Sequence, residues 1–77
     1  MVTGLVLVKM VPGKEKKVLA KLRTIKAVVH MSAVFGRWDL VLDMETQDLE
    51  ELSQVVVNEI RSIPGVLSTE TLVTTSI

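Results

Sequence analysis

The chain has 77 residues with no cysteine or tyrosine, and a single tryptophan, phenylalanine and histidine. Without cysteine, neither a disulfide framework nor a thiolate metal site is available to staple so small a fold. The lone His30 has no acidic neighbour at metal-ligand spacing. Neither GxGxxG, GxxxxGK[ST] nor GxSxG occurs, so no phosphate-cradling loop or strained nucleophile turn is written into the chain. Charge of one sign is missing too: nine Lys and Arg balance nine Asp and Glu, and the formal net charge is zero. Autonomous nucleic-acid binding calls for a net basic footprint that this balance does not supply. A long hydrophobic run is also absent. The apolar start "MVTGLVLVKM" is broken by Gly4 and Lys9 well short of a membrane span, and it has no charged leader or small-residue cleavage site. The expectation is a cytoplasmic protein, without cofactor and without direct contact to nucleic acid or membrane.

What is present is aliphatic. Hydrophobic residues make up 48% of the chain although aromatics are only 3%. A domain of this size buries a modest core, so that much apolar surface predicts self-association. Thr3 to Val11 is rich in Val and Leu and reads as a strand apolar on both faces, with Val6, Val8 and Met10 alternating against Leu5, Leu7 and Val11. Pro12–Gly13 punctuates it. From Lys14 to Thr24, Val18, Leu19, Leu22 and Ile25 recur at helical spacing opposite lysines. Val28 to Phe35 and Asp39 to Met44 read as strands joined by a short antiparallel hairpin. A second helix follows, with Thr46 or Gln47 near its N-cap, acids Asp48, Glu50 and Glu51 at its positive end, and a stripe of Leu49, Leu52, Val56, Ile60 and Ile63. "IPG" stops it, and Val66 to Thr75 forms a Thr-rich fourth strand.

The order is β-α-β-β-α-β, and the two halves echo each other. "LRTIKAVV" (Leu22–Val29) matches "IRSIPGVL" (Ile60–Leu67), and "VLVKM" (Val6–Met10) matches "LVLDM" (Leu40–Met44). Paired βαβ units specify an α+β, ferredoxin-like βαββαβ domain spanning residues 1–77, with two helices on one face of a four-stranded antiparallel sheet. The other sheet face is left bare and largely aliphatic. A second copy packed against it, sheet to sheet, would make a dimeric α+β barrel.

Candidate sites are few. His30 lies within a strand, either half-buried structure or a general base. The cations Lys14, Lys16, Lys17, Lys21, Arg23 and Lys26 surround the first helix without interleaved aromatics, which favours a solvated face over a polyanion site. The Thr-rich last strand is either an ordinary exposed strand or the polar lining of a ligand site. The hairpin "FGRWD" is the most distinctive element: Gly36 permits close approach, Asp39 offers an anion and Trp38 a flat apolar wall. Together they suit a small zwitterion. The alternative is a plain turn whose Trp38 anchors a subunit interface.

The ordered set G-x-x-D before an apolar strand, D-L-x-x-L, "IPGV" and "STETLV" resembles the effector domain of the Lrp/AsnC transcriptional regulators, also called the RAM domain, over about Val2 to Thr74. That resemblance implies sheet-to-sheet dimers assembling into octamers or similar rings, with an amino acid effector bound between dimers. It places Gly36, Arg37, Trp38 and Asp39 on the effector loop, Asp48 and Leu49 near the same pocket, and Thr69 and Thr71 as its polar residues. Trp38 stands where the family usually has Tyr or Phe. The chain begins at the first effector-domain strand, without the helix-turn-helix domain of full-length regulators. It is therefore expected to sense an amino acid without reading DNA, and to act through homo-oligomers or mixed assemblies with full-length relatives. A small dimeric barrel enzyme using His30, or an adaptor without ligand, are the competing readings.

Overall fold

A computed structural model describes residues 1–74. Its elements are β1 (Val2–Met10), α1 (Glu15–Leu22), β2 (Val28–Ala33), β3 (Leu40–Thr46), α2 (Leu49–Val55) and β4 (Val66–Val73). A π-helical turn, Val56–Ile60, prolongs α2. The four strands form one antiparallel sheet in the order β2-β3-β1-β4. This is the ferredoxin-like arrangement that the β-α-β-β-α-β order predicts. Thr75, expected at the end of β4, lies outside the described residues. Phe35, expected in β2, lies beyond that strand's end in the hairpin loop.

The core lies between the sheet and the two helices. Alternation puts Val6, Val8 and Met10 of β1 and Leu40, Leu42 and Met44 of β3 on the helix side, all buried. Val18, Leu22 and Ile25 from the first crossover and Leu52, Val55, Val56, Ile60 and Ile63 from the second close over them. Leu49 departs from the expected stripe: it is 57% exposed. It is the first residue of α2, and residues 47–51 are all exposed, so this turn projects past the sheet it would otherwise cover. Asp48, next to the expected Thr46 or Gln47, is the N-cap, its Oδ1 accepting from the Glu51 N–H at 2.8 Å. The Glu51 carboxylate reaches back to the Gln47 N–H at 2.7 Å, a variant of the capping box shifted by one residue.

The internal echo is structural. The Ile25 and Ile63 N–H groups donate to the carbonyls of Leu22 and Ile60, and those of Val28 and Val66 to the carbonyls of Ile25 and Ile63, each at 3.1 Å. Both crossovers thus leave their helix through the same turn. Both following strands also begin with a one-residue bulge: Val29 is unpaired between Val28 and His30, as Leu67 is between Val66 and Ser68. The halves differ at Ala27 and Gly65. Gly65 has φ +106°, and a Cβ there would lie 2.8 Å from both Lys14 Cβ and Val18 Cγ2.

The bare face is less aliphatic than expected. Directly opposed residues share a face, so Leu5 and Leu7 on β1, Val41 on β3 and Leu72 on β4 form its apolar centre. His30, Ser32, Asp43 and Glu70 share that face. Leu5, Leu7 and Val41 lie on the two central strands and Leu72 on the β4 edge, while His30, Ser32 and Glu70 lie on the edge strands and Asp43 on β3.

Candidate functional site

The β2–β3 hairpin is held at its base by backbone bonds. The Val34 N–H donates to the Asp39 carbonyl at 3.0 Å, and the Asp39 N–H donates across to the Val8 carbonyl at 2.9 Å. Between them Gly36 takes φ +128°, a left-handed geometry that L side chains rarely adopt. The tip is solvated: Phe35 is fully exposed and Arg37 is exposed, whereas Trp38 and Asp39 are half-buried.

Asp39 has two tasks. Its Oδ2 accepts from the Met10 N–H at 2.8 Å, continuing the β1–β3 ladder past its last backbone pair through a side chain. Its Oδ1 lies 3.7 Å from Lys9 Nζ, with the aspartate side chain 33% exposed. One oxygen is therefore committed to the fold, and the other is turned toward a cation at the surface. Such an oxygen, fixed in direction by its partner and set in a loop with a half-buried indole, suits an ammonium group as well as it suits Lys9.

The remaining residues expected at the site are distributed. Thr69 stands opposite Val8 on the far side of β1 from Leu40, so one strand separates it from the hairpin end. It lines a cavity of about 260 Å³ with Arg61, Val66, Leu67 and Ser68. Thr71 pairs with Val6, deeper along the sheet edge, and is exposed. Asp48 and Leu49 lie beyond the other end of β3, so roughly 20 Å of strand separates them from Asp39 in the same chain. Asp48 is occupied in capping α2. One protomer thus brings Gly36, Arg37, Trp38 and Asp39 together, holds Thr69 within one strand of them, and leaves Asp48 and Leu49 at the opposite end.

That opposite end holds the larger cleft, about 390 Å³, between α2 and the β2 and β3 termini. Met1, Ile25, Ala27, Val29 and Val55 form its apolar lining, and Glu45, Glu51 and Glu59 its acids. Sequence reading missed it because its residues come from four separated segments with no common periodicity. It also missed Arg61 and Ser68, although Ser68 sits inside the "STET" stretch that drew attention to Thr69. His30 stands on the bare sheet face, exposed and opposite Asp43, outside both cavities. Among the described residues, no group of three or more His, Cys, Asp or Glu is arranged to hold a metal ion.

The model of the Lrp/AsnC ligand binding domain matches residues 3–77. An uncharacterised HTH-type transcriptional regulator of Pyrococcus furiosus is 31% identical over 74 residues, which is 92% of this chain and 49% of that protein. The chain thus spans about half the length of the curated relatives it matches, or less. The crystal structure of TTHA0845 from Thermus thermophilus superposes with a TM-score of 0.92 at 31% identity, covering all of this chain and 96% of that one. A transcriptional regulator of Neisseria meningitidis, solved as a complex with L-Met, shares the fold at TM-score 0.90 and 19% identity over 97% of this chain and 50% of that one.

Proposed function

The chain belongs to the Lrp/AsnC ligand binding domain family, whose members here are transcriptional regulators with an effector-binding domain, and from that premise we propose that it is an amino-acid-binding, oligomerising regulatory module. The observation that carries this reading is Asp39: a carboxylate locked on one side by the Met10 N–H and free on the other toward a cation, in the same short loop as Trp38. In this reading Asp39 Oδ1 takes the ligand ammonium in place of Lys9. The Gly36 backbone and Arg37 receive its carboxylate, and Trp38 lies against its side chain. Thr69 and Thr71 line the sheet side. Asp48 and Leu49 are too distant within one chain, so they complete the pocket only from a neighbouring copy.

The proposal includes a sheet-to-sheet dimer through Leu5, Leu7, Val41 and Leu72, and higher rings in which ligand lies between dimers. Ligand would shift assembly by binding one association state better than the other. The balanced charge supports a role carried out through partner proteins, such as full-length Lrp/AsnC regulators, and not through direct DNA contact. The Neisseria relative's L-Met makes an α-amino acid the first ligand class to try. A thermal-shift screen of the standard amino acids tests the reading. A ligand that binds only the native state raises the melting temperature with dose, and the same ligand should fail on Asp39→Asn.

A further inference from the structure

The sheet face turned away from the helices carries mostly one sign of charge around its apolar centre. Strand pairing puts Asp43 beside Leu5, Glu45 beside Thr3 and Glu70 beside Leu7, and Asp39 joins them next to Lys9. Against these four carboxylates the face has two basic side chains among the described residues, Lys9 and His30. Lys9 is paired with Asp39 at 3.7 Å. His30 stands directly opposite Asp43 across the β2–β3 ladder, where Cβ atoms are about 4.5–5.5 Å apart. It is exposed on an edge strand, with β3 as the strand beside it. From β3 it is faced by Asp43 and, two residues on, by Glu45. Its own strand adds only the uncharged Ser32 on this face, and Lys26 in the preceding turn lines the α2 cleft.

The sheet-to-sheet dimer brings two copies of this face together, because an isologous contact meets itself. Packed sheets lie about 10 Å apart, so the carboxylates of one copy come within roughly a Debye length of those of the other. Leu5, Leu7, Val41 and Leu72 favour that contact, and the repeated acids oppose it. Histidine is the side chain whose charge changes near neutral pH, and this chain has one. In the lone chain an imidazolium at His30 has its own strand neighbours' acids. In the dimer it also meets the acids of the second face. Its place on an exposed edge strand sets it at the rim of the contact, where the desolvation that opposes charging is small. We infer that proton uptake at His30 strengthens the sheet-to-sheet dimer, so that the chain assembles more tightly in mildly acidic than in mildly alkaline solution. Linkage fixes the sign. The dimer holds the proton more firmly than the lone chain, so the gain is full where both forms are protonated and is lost as rising pH strips the dimer. The inference rests on the reading that two copies pack sheet to sheet, and on no ligand.

Sedimentation over a dilution series, at about pH 5.8 and about pH 7.8 on either side of the ordinary histidine value, tests it. Each His30 should contribute as an exposed ion pair does, and a dimer has two. Wild type should therefore associate about tenfold more tightly at the lower pH. His30→Gln should associate weakly at both, and His30→Arg tightly at both. Carboxylates ordinarily ionise well below this window, and every variant keeps the same acids and amino terminus, so His30→Gln measures whatever else titrates. Leu72→Ala, at a position 47% exposed in the lone chain, trims the apolar centre and brings a dimer too tight to dilute apart into range. A wild-type constant unchanged across the window, or the same change in His30→Gln, overturns the role of His30 and leaves the dimer standing. A chain that stays single at both pH values, or an assembly whose strength Leu72→Ala does not alter, overturns the sheet-to-sheet reading itself.

Discussion

Replacing Asp39 separates its role in the fold from its role in binding. Alanine removes the acceptor of the Met10 N–H, a part-buried bond of 2.8 Å to a charged group. Such bonds contribute about 1.5–3 kcal/mol, and the donor left behind keeps its desolvation penalty. The contact with Lys9 adds little, because both side chains are about a third exposed and 3.7 Å apart, and exposed pairs contribute roughly 0–1 kcal/mol. Asp39→Ala is therefore expected to cost about 2 kcal/mol, mostly through one hydrogen bond. For a domain this small that lowers the melting temperature by roughly 10 °C. Asp39→Asn keeps an acceptor for Met10 and loses only the charge, so it should cost about 1 kcal/mol or less. Urea unfolding of the three proteins, at fixed protein concentration, gives the stabilities. Isothermal titration with the amino acid that stabilises wild type gives the binding. Both variants should lose at least about tenfold in affinity, or 1.4 kcal/mol, through the missing ammonium partner. If Asn and Ala were equally destabilising, the Met10 bond would not carry the cost. If Asp39→Asn bound as well as wild type, the ligand would not sit on Oδ1.

Other expected outcomes follow from single contacts. Gly65→Ala should destabilise by about 2–4 kcal/mol, since left-handed geometry and a Cβ overlapping Val18 and Lys14 add together. Gly36→Ala should cost only about 1–2 kcal/mol, because nothing lies within 4 Å of its Cβ, and chemical denaturation of the pair checks the difference. Asp48→Ala removes the α2 cap and should lower stability by about 1 kcal/mol, read as a drop in urea midpoint at unchanged slope. Ile60→Ala, fully buried where the π-helical turn meets the sheet, should cost about 2–5 kcal/mol by the same assay. Leu49→Ala, on an exposed first turn, should change the stability of dilute protein by less than about 0.5 kcal/mol.

Much of the fold is legible because each crossover repeats one pattern. Leu22 and Ile60 are both fully buried, Ile25 and Ile63 nearly so, and each isoleucine accepts the turn that starts the next strand. Alternation in Val6–Val8–Met10 and Leu40–Leu42–Met44 marks the helix side for the same reason: period-two burial is set by the pleat. The bulges at Val29 and Leu67 are not legible, since an unpaired residue in a strand keeps the composition of a paired one. Leu49 fits the helical stripe, yet periodicity says nothing about where a helix overhangs its sheet. At the site, Gly36, Trp38 and Asp39 stand out as unusual residues in one short loop. The Met10 bond of Asp39 is not visible in sequence, because it joins residues 29 positions apart through a register that only the sheet defines. The α2 cleft is hidden for the same reason, assembled from the first residue, the turn and start of β2, the end of β3 and α2.

Trp38 is the sole tryptophan in a chain without tyrosine, so its emission reports on the hairpin alone. Titrating the standard amino acids against that emission, in wild type and in Asp39→Asn, tests the central claim most directly. The account predicts a saturable change with at least one amino acid at millimolar concentration or below, lost in Asp39→Asn. An emission unchanged by every amino acid would contradict it, and Trp38 would then serve the hairpin's packing and no ligand.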